Sequence, residues 1–242
     1  MNKKNSQDRD SMKVTYIYHS GFAVELEEHI FLFDYFKGSI PEFDTNKKLI
    51  VCASHFHQDH YSREIWNLRE KYHNIQYIMA KDIRRLVPKE EQLGDIIFMK
   101  KRDCFEGEGF RIQTLRSTDE GSAFLIECEG ETIYHAGDLN WWHWEEESDK
   151  YNAVMKRAYQ DEVAVLKDRE ISAAFVVLDP RQEEQFFWGL DWFMRHTETQ
   201  HVFPMHMWDK YEVYDWLMEK EESAPYRDKV IRIDREGQIF EL

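Results

Sequence analysis

Cysteine is scarce. The 242-residue chain has three, Cys52, Cys104 and Cys128, and no C-x-x-C pair. That excludes a disulfide framework and leaves reduced, mostly buried thiols as the reading. Glycine and proline are few, at 10 and 5, and no linker rich in them divides the chain. No apolar run approaches the roughly 20 residues that span a bilayer. Residues 1–11 are polar and lack the apolar stretch of a signal peptide. Positive charge is also short: 32 basic against 47 acidic residues give a net charge of −15. A field of that sign repels phosphate backbones. These deficits predict a cytoplasmic protein with one domain over 12–242 and a disordered tail at 1–11. They also predict no nucleic-acid or membrane partner.

Short apolar segments fill the first half: Val14–Tyr18, Phe22–Leu26, Ile30–Phe33, Leu49–Ala53, Ile75–Ala80, Ile96–Met99, Phe110–Leu115, Ala123–Cys128 and Thr132–His135. They read as strands. Later strands are expected at Ala173–Leu178 and Val202–Pro204, with a closing hairpin of Val230–Ile233 and Gln238–Phe240. Helical patterns cover Arg63–Tyr72, Lys81–Leu86, Glu145–Asp168, Gln182–Arg195 and Asp209–Glu221, the last with Asp209 as its N-cap. Two sheets with helices packed outside satisfy this order, an α/β class.

What stands out is Ser54-His55-Phe56-His57-Gln58-Asp59-His60, an H-x-H-x-D-H run. Metal sites need neutral imidazoles and carboxylates gathered at about 2 Å around an ion. Four such groups in six residues meet that need with little loop-closure cost. The spacing suits two centres, His55 and His57 facing one, Asp59 and His60 the other. Further ligands are expected at strand ends. Asp138 follows His135-Ala136-Gly137, and its carboxylate can bridge two cations. His206 follows Phe203-Pro204-Met205 and can complete a shell. Taken singly, Asp138 is also an ordinary turn residue and His206 an ordinary buried histidine.

In this order, Asp34 after an apolar strand, His55–His60, Gly137-Asp138 and His206 resemble the metallo-β-lactamase superfamily. The stretch Tyr134–Asp138 is similar to its ascorbate-6-phosphate lactonase-like branch. The resemblance implies a four-layer αββα sandwich with the metals at one edge of the sheets. It implies His55 and His57 on a first metal, Asp59, His60 and His206 on a second, and Asp138 bridging. Asp34 would hold the histidine loop from behind. The family's usual middle histidine is missing from Arg116–Gly121. Asp119 in that stretch is the preferred replacement ligand, ahead of His143; a one-metal protein is the third outcome.

The expected activity is metal-dependent hydrolysis, by a metal-bound hydroxide, of a small ester, lactone or phosphoester. Zinc is the expected cofactor, as one or two ions, with manganese or iron as alternatives. Asp59 would orient the nucleophile. His135 is read as structural or as a support behind the metal; His19 is read as a turn histidine, with reach to the same edge as the alternative. Trp141 and His143, in Asn140-Trp141-Trp142-His143-Trp144, are candidates to cover the substrate, or the tryptophans pack the following helix. Arg181 is a candidate grip for a substrate anion, or an ion-pair partner of an acid. The alternative function is a metal-binding protein with little hydrolytic power.

Overall fold

The computed structural model describes residues 12–242; the tail expected at 1–11 lies outside the described residues. The strands, in chain order, are β1 (Lys13–Tyr18), β2 (Gly21–Glu25), β3 (His29–Phe33), β4 (Lys48–Ala53), β5 (Ile75–Ala80), β6 (Ile96–Met99) and β7 (Cys104–Glu106). They continue with β8 (Phe110–Arg116), β9 (Ser122–Cys128), β10 (Glu131–His135), β11 (Glu170–Val177), β12 (Glu198–Met205) and β13 (Ile239–Glu241). The helices are α1 (Asp149–Val163), α2 (Trp188–His196) and α3 (Val213–Glu219).

Two sheets result. One runs β13-β1-β2-β3-β4-β5-β6 and the other β12-β11-β10-β9-β8-β7. Successive side chains on a strand point to opposite faces, and β4 sorts itself accordingly. Ile50 and Cys52 enter the core between the sheets, while Leu49, Val51 and Ala53 pack outward. Outside, they meet Ile65, Trp66 and Ile83, from short 3-10 helices at Arg63–Glu70 and Lys81–Arg85. On the far side of the second sheet, α1 and α2 supply Tyr159, Val163 and Phe193. This is the αββα sandwich, with one outer layer made of 3-10 turns.

Strand direction places the site. β3, β4, β5 and β6 are mutually parallel, as are β10, β11 and β12. β1 and β3 each pair antiparallel with β2, so they point the same way. β8 and β10 are related likewise through β9. The segments that follow β1, β3, β4, β8, β10, β11 and β12 therefore leave through one edge of the sandwich.

Several boundaries differ from expectation, each for a local reason. The Ser148 hydroxyl accepts the Tyr151 N–H, so α1 begins at Asp149; Asp168, at φ 64°, stands beyond its end. The expected Gln182–Arg195 helix breaks at Glu183, at φ 51°. α3 starts at Val213 rather than at an Asp209 cap, because His206 and Trp208 adopt left-handed backbone and turns follow them. The expected hairpin is not formed. Val230 bridges Val202, and β13 joins β1, where Phe240 packs on Phe203 at 5.3 Å. Strand β7, with Phe105 its one aromatic, gave no pattern to read. Cys52 and Cys128 are buried as expected, but Cys104 is exposed.

Phe175 sits at the centre of the inter-sheet core, 4.5 Å from Phe22 and 5.2 Å from Phe203 between ring centroids. Phe175→Ala should cost about 3–5 kcal/mol, read as a lowered urea midpoint with the slope unchanged.

Candidate metal centre

Two sets of metal-binding groups meet at that edge. One is His55, His57 and Asp138; the other is His19, Asp59, His60 and His206. Within each set the donor atoms lie inside 4.8 Å of one another. In the first, His55 Nε2 is 3.0 Å from His57 Nδ1 and 3.2 Å from Asp138 Oδ2. Asp138 turns its other oxygen to the second set, with Oδ1 3.1 Å from His60 Nε2 and 3.4 Å from His206 Nε2. Asp59 Oδ2 lies 3.8 Å from His60 Nε2 and 3.9 Å from His206 Nε2.

These separations suit donors that share an ion at about 2 Å each, which sit roughly 3–4 Å apart. The donor chemistry fits as well. His60 Nε2 and Asp138 Oδ1 are buried and make no hydrogen bond, as are both ring nitrogens of His19. An unsatisfied buried polar atom costs about 1–3 kcal/mol. A cation between the sets would satisfy His60 Nε2, Asp138 Oδ1 and the one nitrogen of His19 that faces Asp59.

The scaffold fixes this geometry from behind. Buried Asp34 follows β3 at φ 40°. Its Oδ1 accepts the Ser54 N–H at 2.7 Å, and its Oδ2 the Ser54 hydroxyl at 2.6 Å. Oδ2 also lies 2.7 Å from His60 Nδ1. A proton on Nδ1 there leaves Nε2 as a free lone pair. Asp179, after β11, does the same for His206, with Oδ2 2.8 Å from Nδ1. Gly137 brings the Asp138 turn against the histidine loop; it has φ 52°, and a methyl there would lie 2.7 Å from Ser54 Cβ. Gly121 is tighter still, with a methyl only 1.9 Å from the Ser54 carbonyl oxygen.

Electrostatics follow the same plan. Burial disfavours charge on Asp138, but the His60 and His206 rings and a hydrogen bond from His55 hold its carboxyl well below the usual range. Asp59 is also held low, against burial, by His19, His60 and His206. Burial opposes a charged His60 too, yet the Asp138 and Asp34 carboxylates raise it well above the ordinary imidazole value. His19 is pulled down to about 4, chiefly by burial. Asp179 stays at about 2 despite burial, through His206 and Arg181.

The other predicted residues fall as follows. His135 is fully buried, stacked 4.8 Å from Phe33, with Nε2 2.9 Å from the Ser20 carbonyl and Nδ1 accepting the Gly137 N–H at 3.2 Å. Both its nitrogens are engaged, so it supports the turn and faces no ion. A cleft of about 250 Å³ opens over the two sets, lined by residues that include Asp119, Trp142, Trp144 and Arg181. Burial and the charge of Asp138 raise the Asp119 carboxyl, but Asp119 is not among the groups that converge with His55 and His57. Arg181 holds Asp179 with both carboxylate oxygens engaged, at 2.5–3.0 Å, and half of its side chain remains exposed. Trp141 packs on Trp188 and Trp192, and His143 on Trp188; neither lines the cleft. Sequence reasoning underrated His19 and passed over Asp179. The signal for both was position, immediately or almost immediately after a strand that points to this edge.

The family described as Beta-lactamase superfamily domain matches residues 13–154, more than half of the chain. The chain belongs to the beta-lactamase superfamily. Solved structures of the superfamily fold resemble it over most of its length. Igni18, a metallo hydrolase from the archaeon Ignicoccus hospitalis, is 16% identical with a TM-score of 0.67, covering 96% of this chain and 98% of that one. The metallo-beta-lactamase fold protein YhfI from Bacillus subtilis is 13% identical with a TM-score of 0.65, covering 96% and 100%. CmlA, a diiron beta-hydroxylase from Streptomyces venezuelae, is 12% identical with a TM-score of 0.63; the match covers 99% of this chain and 55% of that one. At these identities the likeness is one of fold. A comparison with curated proteins finds no match. Among the described residues, no helix is long and apolar enough to cross a membrane.

Because Asp34 sets the ring orientation of His60, Asp34→Asn should weaken metal binding about 10–100-fold, measured by chelator competition.

Proposed function

We propose that the protein is a metal-dependent hydrolase acting on a small ester, lactone or phosphoester. The observation that carries this reading is the Asp138 carboxylate, with one oxygen toward His55 and the other toward His60 and His206. His55 and His57 would hold one ion, and Asp59, His60 and His206 the other, with Asp138 shared; Asp119 lines the cleft but would have to move to reach the first ion. Zinc is the first candidate and manganese or iron the alternatives. Divalent ions in such a pair supply Lewis acidity and a nucleophile from water at neutral pH.

The chain's own residues do the rest. Asp59, partly exposed in the lining of the cleft, would orient the attacking water. Asp34 and Asp179 each hold Nδ1 of a histidine and so aim Nε2 of His60 and His206 at the centre. Trp142 and Trp144 narrow the cleft and limit its water. Among the described residues, Arg181 is the one arginine or lysine in the lining of that cleft, and its exposed half would meet a carboxylate or phosphate on the substrate. Membership of the ascorbate-6-phosphate lactonase-like branch would make a phosphorylated lactone the first substrate to try.

A second reading rests on the first set having three converging groups where the second has four. The first centre would then hold its ion weakly, and the protein would bind metal with little turnover. Metal analysis with a panel of esters, lactones and phosphoesters separates the two. The hydrolase reading predicts two equivalents of metal and chelator-sensitive turnover, falling at least about 100-fold in Asp138→Ala. One tightly held ion with no turnover across the panel supports the second reading.

A further inference from the structure

His19 has no assigned task in the function just proposed, yet its surroundings are unusual for a structural histidine. It stands in the turn between β1 and β2, at φ 56°, a backbone conformation that costs a non-glycine residue roughly 1–3 kcal/mol. Its side chain is fully buried. Neither ring nitrogen has a hydrogen-bond partner. The backbone around it is well tied: its N–H donates to the Tyr16 hydroxyl at 2.8 Å, and its carbonyl accepts the His206 N–H at 3.2 Å. The ring lies between Trp208 and His206, at 4.2 and 4.1 Å between centroids. Strain is thus placed on an imidazole whose ring nitrogens make no hydrogen bond within the protein. Its Nε2 is 3.5 Å from Asp59 Oδ2, and its donor atom converges with those of Asp59, His60 and His206.

We infer that His19 is an additional ligand of the second metal, giving that centre a five-donor protein shell of three imidazoles and two carboxylates. This inference rests on the metal-centre reading above and deepens it. With His19, Asp59, His60, His206 and Asp138 Oδ1 around one point, the shell exceeds the four ligands usual for zinc. It suits ions that take five or six ligands, such as manganese or ferrous iron. The two centres are then unequal: the second fills first and holds its ion, and the first exchanges.

The test uses the full chain, stripped of metal and reloaded with one equivalent of Co²⁺, read by its visible absorption and by chelator competition. The wild type should give the weak bands of a five- or six-coordinate ion. His19→Ala should bind at least about 10-fold more weakly and shift toward the intense bands of four-coordination. Equal affinity and an unchanged spectrum in a folded His19→Ala protein would overturn the role of His19 while leaving the metal centre standing. Failure of the wild type to hold Co²⁺ at all would overturn the metal centre itself. Should His19→Ala not fold, the wild type decides. A crystal structure of its one-equivalent Co²⁺ form should place His19 Nε2 about 2.0–2.2 Å from the ion, and a separation beyond about 3 Å overturns the inference.

Discussion

The carboxylate of Asp138 has to face two ways at once, and most of the architecture at this edge serves that requirement. One oxygen meets the loop after β4, and the other meets His60 and His206, the latter from the opposite sheet. The two sheets must bring their turns into near-contact for this to happen. Gly121 and Gly137 are where they touch, since a β-carbon at either would overlap Ser54. Glycine at these points is a demand of approach between backbones as much as of dihedral angle.

Each sheet then contributes the same device. Asp34 in the first and Asp179 in the second are buried acids, each set against Nδ1 of a histidine whose Nε2 faces the centre. Burial alone would favour their neutral forms; the hydrogen bonds and positive neighbours keep both ionised. Asp34, His206 and His19 all take left-handed backbone. Conformational strain gathered on the residues that form a site is retained where the surrounding core over-determines it. Here that core includes Phe33, Phe175 and Phe203, which pack ring against ring behind the turns.

How much of this was legible depended on whether a residue's meaning was local. The run His55–His60 carries its chemistry within six residues and could be read directly. Asp138 and His206 were readable as groups at strand ends, while Asp34 required a family resemblance. His19 was underrated and Asp179 passed over, because their place comes from strand direction: β1 points to the candidate metal edge only because two antiparallel pairings return the chain to it. The tryptophan segment shows a finer limit. Its place beside the site was legible, but which indoles face the cleft is set by packing: Trp141 packs against Trp188 of α2, while Trp142 and Trp144 line the cleft. Helix limits failed where caps and left-handed residues intervened, since neither alters the apolar periodicity.

The most direct test of the account is anomalous diffraction from crystals of the metal-loaded protein. It predicts two peaks about 3.5–4 Å apart, one beside His55 and His57 and one beside His60 and His206, with one oxygen of Asp138 directed to each. Metal bound elsewhere, or an Asp138 carboxylate that contacts no ion, would contradict it.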